Sequence, residues 1–173
     1  MRKHFKTILL CLILLIGISS VFIHPYGNVK AISKASGNPV FGGAQIEPQI
    51  SGILQRSCQN CHSERTTWPW YSYVAPVSWM VESDVRDGRS HFNMSRWDEY
   101  NTDDRIQILA GISTMVRNKE MPLPQYLLLH RDAKLSAADI DLIYQWAQGE
   151  RKRLKAEQKR DQIPTPATEV PTH

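Results

Sequence analysis

The sequence predicts an all-α domain of about four helices. Apolar residues recur at three- and four-residue spacing almost throughout residues 46–147. No stretch shows period-two alternation bounded by turns, which leaves little case for a sheet. Two helix-start signals, Thr102-Asp103-Asp104 and Ser136 with Asp139 three residues on, stand in the second half. At 173 residues the chain has room for one ordinary domain of about 100 to 150 residues with end segments.

The first 23 residues open on Arg2, Lys3 and Lys6 and then run without a charge from Ile8 to Ile23. That pattern is an export signal or a membrane anchor, its positive end cytoplasmic and the rest of the chain delivered across the membrane. Sixteen helical residues rise about 24 Å against a hydrocarbon core of about 30 Å, so length leaves anchor and signal both open. The best small-residue cleavage site, Val29-Lys30-Ala31, lies well past the apolar run, which favours an uncleaved anchor in the inner membrane. Cys11 reads as a buried apolar side chain of that run.

Residues 24–44 are rich in Gly, Ser, Pro and Asn and read as a flexible linker. Ile46, Ile50, Ile53 and Leu54 then share one face of a helix that runs into Cys58. A short helix follows from Val77 to about Asp87 and closes at Gly88. The next, from Thr102 to about Lys119, carries the stripe Ile106, Leu109, Ile112 and Val116. "MPLPQY", from Met121, reads as an extended loop, because Pro122 denies a helix there. The last helix starts at Ser136, presents Ile140, Ile143, Tyr144 and Ala147, and extends to about Arg160. The domain is thus assigned to residues 45–149, with a charged extension and Pro/Thr-rich tail over 150–173.

The formal net charge of +4 comes from the N-terminus, because 17 basic and 17 acidic residues balance after Ala31. The composition therefore excludes a nucleic-acid-binding face. Residues 150–161 hold six Lys/Arg against three acids, a solvated helical face.

The chemistry lies in "CQNCH", residues 58–62. C-x-x-C-H is the pattern of covalent c-type haem attachment. On a helical turn, residues three apart face one side, so Cys58 and Cys61 can reach two vinyl groups of one porphyrin while His62 offers the proximal imidazole to iron. Three rivals are weaker. Structural zinc needs four ligands, and no second cysteine pair exists outside the membrane segment. A thioredoxin-like pair wants a βαβ context, and a disulfide across two residues would be strained.

The sixth iron position falls to Met121, whose loop can bring its thioether to the open face. Packing alone can explain Met121, as it explains Met115. His91, Met94, His130 and Met80 are lesser candidates. The aromatic stretch offers Trp68, Trp70 and Trp79 as haem-pocket residues, an ordinary satellite core under a loop being the other reading, with Pro69 or, slightly ahead of it, Pro76 placed to bring a backbone carbonyl to the second nitrogen of His62.

"CQNCHSERTTWPWYSYVAPVSW" followed by "EMPLPQYLLLHRDAKLSAADIDLIYQWA" resembles the bacterial haem-binding domain family, over roughly Ile46 to Ala147. The resemblance implies a cytochrome-c-like helical domain with covalent haem, and it strengthens Met121 through the axial methionine of similar M-P loops. The expected function is that of a monohaem c-type cytochrome, carrying one covalent haem c on the periplasmic side of the membrane. It would pass single electrons between redox partner proteins, with no small-molecule substrate implied. A haem sensor or peroxide-handling protein with an open sixth site, using His91, Arg89 or Arg96, is the alternative. A third reading is a module that docks to a larger respiratory complex, its cysteines structural.

Overall fold

The computed structural model of the chain describes residues 2–22, 26 and 40–162. Among these residues every regular element is helical, as the spacing predicts. The α-helices are α1 (Arg2–Phe22), α2 (Pro48–Ser57), α3 (Gln59–His62), α4 (Val77–His91), α5 (Thr102–Arg117), α6 (Pro124–Leu129) and α7 (Ala137–Asp161). Three 3₁₀ segments join them: η1 (Trp70–Tyr73), η2 (Met94–Glu99) and η3 (Arg131–Ala133).

Helix α1 holds Ile8 to Ile18 with their side chains exposed. Among the described residues no helix is long and apolar enough to cross a membrane. The rest of the apolar run's side chains, the cleavage site at Val29-Lys30-Ala31, most of the linker and the tail from Ile163 lie outside the described residues.

The chain divides into two compact units. Residues 1–43 and 52–98 form the first. Its core is Phe41, Ile53, Leu54, Ala75, Val85, Met94 and Trp97, all buried. Phe41 falls within the stretch read as linker, yet its ring stands edge-on to Trp97 at 4.9 Å and its N–H donates to the Met94 carbonyl at 2.9 Å. A lone aromatic among glycines carries no periodicity, so its burial leaves no pattern in the sequence. Helix α4 is the spine of this unit, with α3 and η1 packed against it.

Helix α4 does not close at Gly88 but continues to His91. Glycine is a stop signal only where the chain must turn left-handed, and here it serves close packing instead. The stretches 63–76 and 89–101 each contain a 3₁₀ segment.

The second unit comprises residues 44–51 and 99–173. Its α5 and α7 pack together, burying Leu109, Ile112, Val116, Ile143, Trp146, Ala147 and Leu154. Trp146 satisfies its indole N–H on the Gln45 carbonyl at 2.9 Å. Asn101, one residue before the predicted start, caps α5 by accepting from the Asp104 N–H at 2.9 Å. At the other end Lys119 takes φ 59°, and Glu120 donates back to the Met115 carbonyl at 2.9 Å, a left-handed close that releases the chain into Met121. The loop expected over "MPLPQY" ends early, because Pro124 supplies a preset φ and no N–H at the first position of α6. Ser136 and Asp139 form the reciprocal capping box that opens α7.

Candidate functional site

Cys58, Cys61 and His62 come together on one turn. The N–H groups of Cys61 and His62 both point to the Cys58 carbonyl, at 3.3 and 3.0 Å. Both thiols are free and half-buried. The turn lies directly on α4, where a Cβ built on Gly88 would stand 2.8 Å from the Cys61 carbonyl oxygen and 3.1 Å from the Cys61 Cβ. Only glycine allows this approach.

His62 is oriented by the chain 30 residues further on. Its Nδ1 lies 3.3 Å from the Phe92 carbonyl oxygen, and its ring stacks on that of Phe92 with centroids 4.2 Å apart. A carbonyl can only accept, so Nδ1 carries the proton and Nε2 keeps the lone pair. Nε2 is therefore the metal-ligating nitrogen. The carbonyl that does this belongs to Phe92, not to Pro76, which is exposed at the start of α4.

Burial lowers the His62 pKa from its ordinary value, against the pull of the Phe92 and Gly88 carbonyls. The imidazole is thus neutral and able to ligate. Burial raises the Cys58 thiol to about 12, with Cys61 beside it adding to the rise. The Cys61 thiol rises to about 11, first through burial and then through Asp84. Neutral, hard-to-ionise thiols are poor redox nucleophiles and poor zinc ligands. Among the described residues no group of three or more His, Cys, Asp and Glu side chains could hold a metal ion. Two neutral thiols and one imidazole of fixed tautomer, on a single turn, fit the protein's half of a thioether-linked haem.

These shifts predict the thiols' reactivity before any attachment. Alkylation runs through the thiolate, and in the folded chain its rate climbs only as pH approaches about 11 for Cys61 and about 12 for Cys58, against the ordinary 9.0. Iodoacetamide kinetics against pH, compared with the urea-unfolded chain, measure the displacement.

A network beyond the motif braces the turn. Arg89 donates from Nε to the Ser63 carbonyl and from Nη2 to Thr66 Oγ1, each at 2.9 Å. Thr66 Oγ1 donates to the Asn60 carbonyl at 2.7 Å, and Asn60 Oδ1 accepts from the Thr67 N–H at 3.0 Å. These bonds account for Thr66 in the polar run after the motif. Sequence reasoning missed Gly88, Phe92 and this role of Arg89, whose partners lie more than 20 residues away and repeat at no period.

The remaining candidates differ in burial. Trp68 and Trp79 are half-buried, whereas Trp70 is 79% exposed. Met121 is half-buried in the loop between α5 and α6, in the second unit. Met94 is fully buried in the core of the first unit, while Met80 and Met115 are exposed. His91 is exposed, with Nδ1 on the Asp87 carbonyl at 2.7 Å, and His130 stacks on Tyr126 at 4.1 Å.

A model of the haem-binding domain family matches residues 15–149. The chain belongs to the haem-binding domain family. A haem cofactor follows from that membership. The family match spans the motif, the first unit's core, the second unit's core apart from Leu154, and the Met121 loop. Neither the curated proteins nor the solved structures give a match.

Proposed function

We propose that this haem-binding domain is a monohaem c-type cytochrome, tethered to the inner membrane by its N-terminal segment and working on its periplasmic side. One observation carries the reading: a single turn holds two neutral thiols beside an imidazole whose Nδ1 is committed to the Phe92 carbonyl. Cys58 and Cys61 would hold one haem c through thioether bonds, and His62 would ligate its iron through Nε2. When bound, haem iron supplies one-electron redox chemistry.

The chain's own part is ligation, orientation and shielding. The Phe92 carbonyl keeps the His62 proton on Nδ1, and burial keeps the ring neutral. Trp68, Trp70, Trp79 and Pro76 are proposed as pocket residues, the three indoles having aromatic faces suited to a broad apolar plate. Redox partner proteins would exchange the electron. The positive N-terminus and apolar helix support export and tethering. The sensor or peroxide reading gains nothing from the cations named for it: Arg89 is bonded to Ser63 and Thr66, and Arg96 to Glu64.

Met121 is assigned the sixth position. Met121→Ala is expected to leave the haem attached while the oxidised and reduced spectra change from low-spin to high-spin. A spectrum identical to the unaltered protein's would remove Met121 from the iron.

A further inference from the structure

Glu64 is almost wholly buried, 5% exposed, two residues past His62. A buried carboxylate is costly unless it is paired and hydrogen-bonded. Its Oε1 accepts from Arg96 Nε at 2.7 Å and from Asn93 Nδ2 at 3.2 Å. Its own N–H donates to Ser95 Oγ at 3.0 Å. Asn93 and Ser95 are buried in turn, and the Ser95 N–H donates to Asn93 Oδ1 at 3.0 Å. Three bonds therefore tie residue 64 to the stretch 93–96, the stretch that leaves Phe92. On its other side Phe92 is held by its N–H on the Gly88 carbonyl, where α4 ends. The Phe92 carbonyl that meets His62 is thus fixed from two ends.

From this geometry we infer that Glu64 is a positioning residue for the haem ligand: through Asn93, Ser95 and Arg96 it holds the Phe92 carbonyl on Nδ1 of His62. The inference rests on the proposed ligation of haem iron by His62. Donation from Nδ1 to a well-placed acceptor makes the imidazole a stronger donor at Nε2, which favours the oxidised iron. Loosening the 93–96 stretch weakens that donation and raises the reduction potential.

The test uses the full chain with its haem attached, in Glu64→Ala, Glu64→Gln and Arg96→Gln forms, with Arg86→Gln as control because the contacts it breaks, an exposed ion pair with Asp87 and a cation–π contact with Tyr26, include no residue of the network. Potentiometric titration is expected to give an upward shift in all three network variants, largest for Glu64→Ala and smaller where glutamine retains an acceptor for Asn93. The control should not move. In the reduced protein, Nδ1–H exchange at His62 should quicken about five- to tenfold in Glu64→Ala, the factor that one hydrogen bond's net contribution implies. If Glu64→Ala does not fold, the other two variants carry the test through the same readouts. Unchanged potentials in a protein whose iron has an imidazole ligand overturn the inference alone. Haem without imidazole ligation in the unaltered protein overturns the parent reading and the inference with it.

Discussion

Gly88→Ala is expected to destabilise the first unit and reduce the yield of haem-loaded protein, although alanine is the better helix former. In an open helix position the change would gain about 1 kcal/mol. At Gly88 the new Cβ would stand 2.8 Å from the Cys61 carbonyl oxygen, closer than any real contact, and the obstacle is backbone rather than the end of a flexible side chain. Overpacking of this kind costs about 1 to 3 kcal/mol. Gly88→Val adds two methyl groups to the same contact and should prevent the turn from seating on α4. Gly111, in α5, has nothing within 4 Å of an added Cβ. Gly111→Ala should therefore stabilise, and thermal unfolding of the two alanine variants side by side checks the opposite signs. Equal effects at both positions would mean that the turn does not lie against α4.

The second large effect is expected at His62. His62→Ala removes the one imidazole on the motif turn and leaves the Phe92 carbonyl without its donor. Loss of one part-buried hydrogen bond costs about 1 kcal/mol, and loss of the proposed proximal ligand should end stable haem retention altogether. Haem content per chain, read from the absorbance of alkaline pyridine-treated protein, should fall to near zero. His130→Ala, on a ring that stacks on Tyr126 in the second unit, should leave it unchanged. Full haem content in His62→Ala would place the proximal ligand elsewhere.

What could be read from the sequence was set by how local the determining contacts are. The Ser136 and Asp139 box joins residues three positions apart, so its pattern and its structure coincide. The apolar stripe of α5 is nearly as legible, since Leu109, Ile112 and Val116 are buried as their spacing requires and Ile106 is half-buried. Legibility failed where one residue's job depends on another far along the chain. Gly88 looks like a helix stop until Cys61 is laid against it. The acceptor for His62 is a backbone carbonyl, which any residue could supply, so no side-chain type could single out Phe92. Pro124 was submerged in a proline-rich stretch whose first proline, Pro122, forbids the helix that the second one starts. Glu64 and Arg96 look like ordinary surface charges 32 residues apart, and only burial of the carboxylate reveals the pair.

The central claim is that one porphyrin is joined to Cys58 and Cys61 of a turn already shaped to present His62. Intact-protein mass spectrometry, on chain matured in a host that assembles c-type cytochromes and then denatured, tests it most directly. The account predicts a mass increase of one haem per chain that survives denaturation, disappears in the Cys58→Ala/Cys61→Ala variant, and leaves neither thiol open to alkylation. A chain of unmodified mass, with both cysteines alkylated after unfolding, would contradict it.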